Sequence, residues 1–250
     1  MTSLSLFYLT IAGFTIGTFA SMLGIGGGLL IVPTLTLFLH FPIKHAIGVS
    51  LIGVSATSLM AASNYLKAGL VDVELGITLE SSTILGALVG GIVSGYISSR
   101  LLYLLFSILV IYTSFVMWRG RRVKEVRNGR YSNYSAGIGL SFFAGVASAV
   151  LGIGGGVLKV PIMNIMMNVP VKIAVATSSF MIGMTAVTGV MPYVERGEAD
   201  PVVAASIVVG TLAGAYLGSR LMRKIPTLML RKAFALLLFI VGVRMFVKGL

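Results

Sequence analysis

The stretch Leu23-Gly-Ile-Gly-Gly-Gly-Leu-Leu-Ile-Val-Pro33 recurs 128 residues later as Leu151-Gly-Ile-Gly-Gly-Gly-Val-Leu-Lys-Val-Pro161. The same offset pairs further residues downstream of both stretches. Self-similarity of this length predicts two copies of one structural unit within the chain. We assign repeat 1 to residues 1–122 and repeat 2 to residues 136–250. The two glycine-rich stretches are called glycine loops 1 and 2 below.

Composition places both copies in a membrane. Of the 250 residues, 57% are hydrophobic and only 10% are charged, whereas a soluble domain carries about 25% charged residues. The chain therefore has too few polar side chains to cover a surface that faces water. The apolar runs are continuous and do not alternate with polar residues, which argues against a β-barrel. We predict an all-α polytopic membrane protein, bound to the lipid bilayer and spanning it several times.

Ten apolar segments are predicted along the chain. They are residues 4–22, 29–40, 46–66, 76–98, 101–118, 136–150, 157–169, 173–193, 201–219 and 228–248. Residues 29–40 would reach about 18 Å as a helix, which is short of the ~30 Å hydrocarbon core. Each glycine loop therefore either interrupts a helix inside the bilayer or turns the chain back. Each repeat then has a Gly-broken or re-entrant first helix plus three transmembrane helices.

The distribution of basic residues favours the turned-back alternative. If the chain reverses at both glycine loops, the repeats are inverted and the basic residues other than Lys159 divide thirteen to five between the two sides. A single broken crossing in each repeat would divide them almost evenly. A strong bias is what the positive-inside rule expects. We therefore predict inverted repeats, both termini on the outer side, and a basic cytoplasmic linker at residues 123–135.

The backbone amides at the glycine loops could serve as ligands for an anion. Irregular backbone inside a bilayer must be buried in protein or face a wet cavity. The first amides of the helix after each loop have no intrahelical acceptor and carry the positive end of the helix dipole. Glycine lets a ligand come close to such amides. Two such helix starts that meet would form an anion site without a formal charge. The alternative is that the glycines only allow close helix packing.

Composition also argues against several other functions. The chain has no cysteine and only two histidines, so thiolate, metal and haem sites are not expected and no cofactor is predicted. No pattern of nucleophile and base supports an enzyme. The net charge of +12 is attributed to loops that set orientation in the membrane, and not to nucleic-acid binding.

The duplicated pattern Gly-x-Gly-Gly-Gly-x-x-x-x-Pro, in a short polytopic chain with a basic central linker, resembles the TauE/SafE sulfite exporter family. The resemblance covers essentially the whole chain. It implies a membrane transporter of sulfite, organosulfonates or related small anions. By this resemblance the following residues match the family motif: Gly24, Gly26, Gly27, Gly28, Pro33, Gly152, Gly154, Gly155, Gly156 and Pro161.

Three further residues complete the candidate substrate site. Lys159 follows glycine loop 2 where repeat 1 has Ile31, and a lysine at membrane depth usually faces a cavity or a partner. It is interpreted either as the countercharge of the anion or as a residue that snorkels to the interface. Ser50 and Ser178 are matched between the copies, and their hydroxyls could bind oxyanion oxygens or serve helix contacts.

We predict a multi-pass transporter of the cell membrane that moves a small anion by alternating access of the two repeats. Glu80 is expected at the membrane interface, so no carboxylate is predicted at depth. The lack of a carboxylate at depth favours potential-driven export, because an anion that leaves a negative interior releases ~2.3 kcal/mol per 100 mV. The alternatives are an anion channel, proton-coupled anion uptake, and a membrane assembly protein that transports nothing.

Overall fold

In the computed structural model, which describes residues 3–119, 133–222 and 227–250, the chain is helical throughout and forms no strand within those ranges. The helices are α1 Ser3–Leu23, α2 Gly28–Pro33, α3 Ile43–Lys67, α4 Val73–Ser94, α5 Ser99–Arg119, α6 Tyr134–Leu151, α7 Gly156–Pro161, α8 Val171–Glu195, α9 Pro201–Leu221 and α10 Thr227–Gly249. One wider π-helical turn extends α2 over Thr34–Phe38, and another extends α7 over Ile162–Met166. The predicted all-α class is confirmed, and every predicted apolar segment coincides with a helix.

Seven of the described helices are long and apolar enough to cross a membrane. Large apolar side chains also cover much of the outer surface, among them Phe7, Ile77, Leu85, Ile108 and Val209. Apolar surface of this extent suits contact with lipid. The chain is therefore a multi-pass membrane protein. Of the predicted linker, residues 123–132 lie outside the described ranges, and α6 already begins at Tyr134.

The start and end of α4 differ from the predicted segment 76–98 for an identifiable reason. Asp72 caps the helix by accepting a hydrogen bond from the amide of Leu75 at 3.0 Å, so the helix begins three residues earlier. At the other end it stops at Ser94. There Arg196 donates to the carbonyl of Gly91 and Lys44 to that of Gly95. These cations satisfy carbonyls that the helix end leaves without an amide partner.

Glycine stripes bring helices of the two sequence halves into backbone contact. On α9, Gly210, Gly214 and Gly218 lie directly against backbone atoms of α1. On α4, Gly86 and Gly90 lie in the same way against α6. Small residues at such interfaces let backbones approach closely in lipid. The first helix of each sequence half therefore packs on the α4 or α9 helix of the other half, and the pair α3 and α8 is held between them.

Candidate functional site

Both glycine loops reverse the direction of the chain. Gly24, Gly26 and Gly27 have φ between 67° and 96°, a backbone conformation that glycine adopts at no steric cost. As a result Gly27 lies against Ile16 and Ala20 of the preceding helix. A continuing helix would instead carry residue 27 about 16 Å beyond residue 16. Loop 2 has the same geometry, and its positive φ values lie at Gly152, Gly154 and Gly155.

The two loops touch each other at the centre of the molecule. A Cβ atom built on Gly28 would overlap the carbonyl oxygen of Gly152 and lie 2.6 Å from Cα of Ile153. A Cβ atom on Gly156 would overlap the carbonyl oxygen of Gly24 in the reciprocal way. The predicted meeting of the two glycine loops is therefore a direct backbone contact, and there is no room for a side chain between them.

The helices that follow the loops begin with unpaired amides. The carbonyl of Gly27 accepts from Leu30 and Ile31, both at 3.0 Å. Among the described residues no acceptor is found for the amides of Gly28 and Leu29, or for the equivalent amides of loop 2. Buried amides without a partner are rare in proteins. They are the groups that the sequence predicts as ligands for an anion.

Two apolar side chains cover the loops in this conformation. Val54 of α3 and Ile182 of α8 both pack against Gly26, and both also pack against Gly154. A Cβ atom on Gly26 would lie 3.0 Å from Val54 and 3.1 Å from Ile182. The loops are therefore held between α3 and α8 at Gly26 and Gly154.

The structure buries nearly all of the predicted site residues. Pro161 is half-buried, and the following residues are buried: Gly24, Gly26, Gly27, Gly28, Pro33, Ser50, Gly152, Gly154, Gly155, Gly156, Lys159 and Ser178. The two prolines lie where the short helices pass into their π-helical turns. Since proline has no amide hydrogen, each removes one donor from the helix at that point.

The matched serines hold the loops across the molecule. Ser50 donates to the carbonyl of Gly152 at 2.7 Å, and Ser178 donates to the carbonyl of Gly24 at 3.2 Å. Both hydroxyls thus satisfy a carbonyl in the loop of the other sequence half. Their predicted contact with substrate stays a prediction.

Ser50→Ala is expected to destabilise the protein by about 1–3 kcal/mol, because the buried carbonyl of Gly152 loses its donor. The measurement is the thermal unfolding midpoint of the purified protein in detergent. Ser63→Ala is the control, since Ser63 lies exposed on the same helix. Equal midpoints for the two variants would show that the Ser50 cross-link contributes nothing.

Lys159 is part of a buried polar cluster. Its ammonium lies 2.8 Å from Oε2 of Glu80, and both side chains are only 1% exposed. Thr185 completes the cluster, because its hydroxyl accepts from Lys159 and donates to Oε1 of Glu80. The three residues belong to α7, α4 and α8, and we refer to them as the Lys159 cluster.

The sequence predicts Glu80 at the membrane interface, and the structure encloses its side chain within the protein. Glu80 is buried in the protein, about 10 Å along α4 from Val73. A carboxylate is tolerated there because an ammonium and a hydroxyl compensate its lost hydration. The interpretation that Lys159 snorkels is wrong, since its ammonium is enclosed. No sequence signal connects residues 80 and 159, because they meet only through the packing of three helices.

The model of the sulfite exporter TauE/SafE family matches residues 9–245. The chain belongs to the TauE/SafE family. Family membership agrees with the resemblance carried by the glycine loops, and it makes the chain a membrane transporter.

Named relatives from bacteria and an archaeon agree with this. YdhB of Bacillus subtilis, named a probable membrane transporter protein, is 29% identical over 92% of this chain and 95% of its own length. YunE of the same organism has the same description and is 28% identical over 99% of both chains. A probable membrane transporter protein of Methanocaldococcus jannaschii is 29% identical over 95% of this chain and 94% of its own. No solved structure matches the chain.

Proposed function

We propose that this protein carries a small anion, such as sulfite, an organosulfonate or a related carboxylate, across the cell membrane. The observation that carries the proposal is a buried cation, Lys159, three residues after a glycine loop whose helix begins with unpaired amides. A lysine at membrane depth marks the path of a substrate or ion more often than a structural feature. Unpaired amides and an ammonium together suit a negatively charged solute.

An inverted pair of repeats supports alternating access. Ser50 binds Gly152 and Ser178 binds Gly24, so the two contacts are related by the offset of 128 residues. Tyr65, which donates to the carbonyl of Ser21, and Tyr193, which donates to that of Ala149, are related in the same way. The two tyrosine contacts each stay within one sequence half, whereas the two serine contacts are exchanged between the halves, as is typical of two copies around a twofold axis. In transporters built from inverted repeats, substrates bind where the copies meet.

The conformation described here is a closed one in this scheme. Val54 and Ile182 cover both glycine loops, and the Lys159 cluster is sealed from solvent. Rocking of one repeat against the other would withdraw the cover on one side at a time. The alternation would then expose the same amides and the same ammonium first to one compartment and afterwards to the other.

The chain reversal at the loops supports both termini on the outer side, as the positive-inside rule predicts. Potential-driven export depends on the prediction that no carboxylate lies at depth, whereas Glu80 is a carboxylate buried inside the protein. The direction of transport therefore depends on which gradient drives the carrier.

Flux of anions into proteoliposomes tests the proposal. We expect the wild-type protein to take up at least one of sulfite, methanesulfonate and lactate faster than protein-free vesicles do. The flux should saturate with anion concentration, as it does for a carrier, and an excess of unlabelled anion on the opposite side should accelerate it. A linear, unsaturable flux would favour a channel, and no flux of any anion in the panel would contradict the proposed function.

A further inference from the structure

The Lys159 cluster has no equivalent in the first half of the chain. The position that matches Lys159 holds Ile31, and Thr57 matches Thr185. The side chains of Ile31 and Ile207 both lie beside Gly53, and the hydroxyl of Thr57 donates to the carbonyl of Gly53. The matching packing of helices in the first half of the chain thus contains no charged residue at the position of Lys159. The fold itself does not require an ion pair at this place, and replacing a buried pair by apolar residues is often neutral or stabilising.

Among the residues that the structure describes, Lys159 is the one cation that pairs with Glu80. The helices packed against α4 are α6 and α8. Their ionisable side chains lie in the terminal turns: Tyr134 at the start of α6, and Lys172, Tyr193 and Glu195 at the two ends of α8. On α7 and its π-helical extension, Lys159 is the single ionisable residue. The cluster is therefore an isolated neutral unit, and any net charge left on it would be unpaired in an apolar interior.

We propose that the transported anion displaces the Glu80 carboxylate from Lys159, and that Glu80 takes up one proton as it is displaced. This inference rests on the proposed function. In the closed state the ammonium of Lys159 faces the carboxylate of Glu80. In the loaded state the same ammonium faces the anion, and Glu80 is a neutral carboxylic acid. One anion and one proton enter together, so the cluster is neutral both before and after binding.

Thr185 suits both states of Glu80. Its hydroxyl now donates to Oε1 of the carboxylate. After protonation the same hydroxyl can accept from the O–H of Glu80, because a hydroxyl both donates and accepts. Glu80 therefore keeps a hydrogen-bond partner when the anion takes its place beside Lys159. The carrier then moves a monovalent anion with a proton, and the membrane potential does no work on the pair.

The experiment uses methanesulfonate, which is the anion of a strong acid and stays a monoanion at every pH tested. Any proton that moves with it is therefore carried by the protein. Proteoliposomes receive either a K⁺ gradient with valinomycin or a pH gradient. For wild type we expect about tenfold accumulation of methanesulfonate per unit of pH gradient and no response to the K⁺ gradient. In Glu80→Gln the carboxyl is permanently neutral. Accumulation of methanesulfonate should then be independent of the pH gradient. A tenfold K⁺ gradient should instead produce about tenfold accumulation.

Glu74→Gln is the matched control, because Glu74 lies exposed on the same helix; it should behave as wild type. Wild-type accumulation that follows the K⁺ gradient, or a Glu80→Gln variant that still follows the pH gradient, would overturn the coupling and leave the proposed function standing. Absence of methanesulfonate flux in wild type, together with absence of flux for the other anions of the panel, would overturn both.

A measurement on the unmodified chain covers the case in which Glu80→Gln does not fold. Dicyclohexylcarbodiimide labels protonated carboxyl groups in apolar surroundings, and peptide mass spectrometry locates the label. At constant pH, methanesulfonate should raise the labelling of Glu80 severalfold and leave that of Glu74 unchanged. Labelling of Glu80 that does not respond to methanesulfonate would contradict the proposal.

Discussion

Gly28→Ala is expected to abolish methanesulfonate flux and to lower the yield of folded protein severely. The added methyl group would overlap the carbonyl oxygen of Gly152 and lie 2.6 Å from Cα of Ile153. These are backbone atoms of the opposite loop, so no side chain can rotate away to relieve the overlap. The two loops must separate, which we expect to cost at least about 3 kcal/mol, the upper end of ordinary overpacking. The measurements are monodisperse yield in detergent, thermal unfolding midpoint and flux.

Gly139→Ala is the control for this substitution. Gly139 lies in α6, and a Cβ atom there would meet no other atom within 4 Å. Alanine favours a helix over glycine by about 1 kcal/mol, so this variant should be as stable as wild type or slightly more stable. Gly156→Ala makes the reciprocal clash with Gly24 and should resemble Gly28→Ala. A Gly28→Ala protein with wild-type stability and flux would show that the contact between the loops is not needed.

The helical framework follows from hydropathy alone, which is why the predicted segments agree with the helices. A bilayer forces a spanning segment to satisfy its own backbone, so apolar length and helix length coincide. The capped ends are less predictable. The end of α4 depends on Arg196 and Lys44, which reach its carbonyls from other parts of the chain.

The chain reversal at the glycine loops could be inferred only indirectly, from where the basic residues fall along the chain. The tract itself is compatible with a broken helix or a turn, because glycine permits both. The positive φ of Gly26 and Gly27, together with the packing of Gly27 on Ala20, distinguishes a turn from a broken helix. Neither these φ values nor this packing can be predicted from the types and spacing of the residues.

The Lys159 cluster shows the limit of sequence reasoning most clearly. Lys159 stands out because a charge follows a glycine tract, and it was a candidate for that reason. Glu80 lies near the start of an apolar segment, where a carboxylate at the interface is the ordinary interpretation. Its burial results from the start of α4 at Val73 and from the approach of α7. Both are properties of the packed structure.

Lys159→Met is the second large effect that we expect. Removing the ammonium leaves Glu80 buried without its ion-pair partner, and breaking one partner of a buried pair costs about 3–5 kcal/mol. The thermal unfolding midpoint in detergent should fall accordingly. Lys172→Met is the control, because Lys172 lies exposed near the start of α8; its midpoint should equal that of wild type.

The double variant Lys159→Met/Glu80→Gln separates the structural role of Lys159 from its role in transport. Its interior carries no charge, as at the matching position around Ile31, so most of the lost stability should return. Methanesulfonate flux should stay absent, because the anion has no ammonium to bind. If the double variant regained both stability and flux, Lys159 would be only a structural partner of Glu80, and the anion would bind elsewhere. Restored stability with no flux is the result that requires Lys159 to hold the anion.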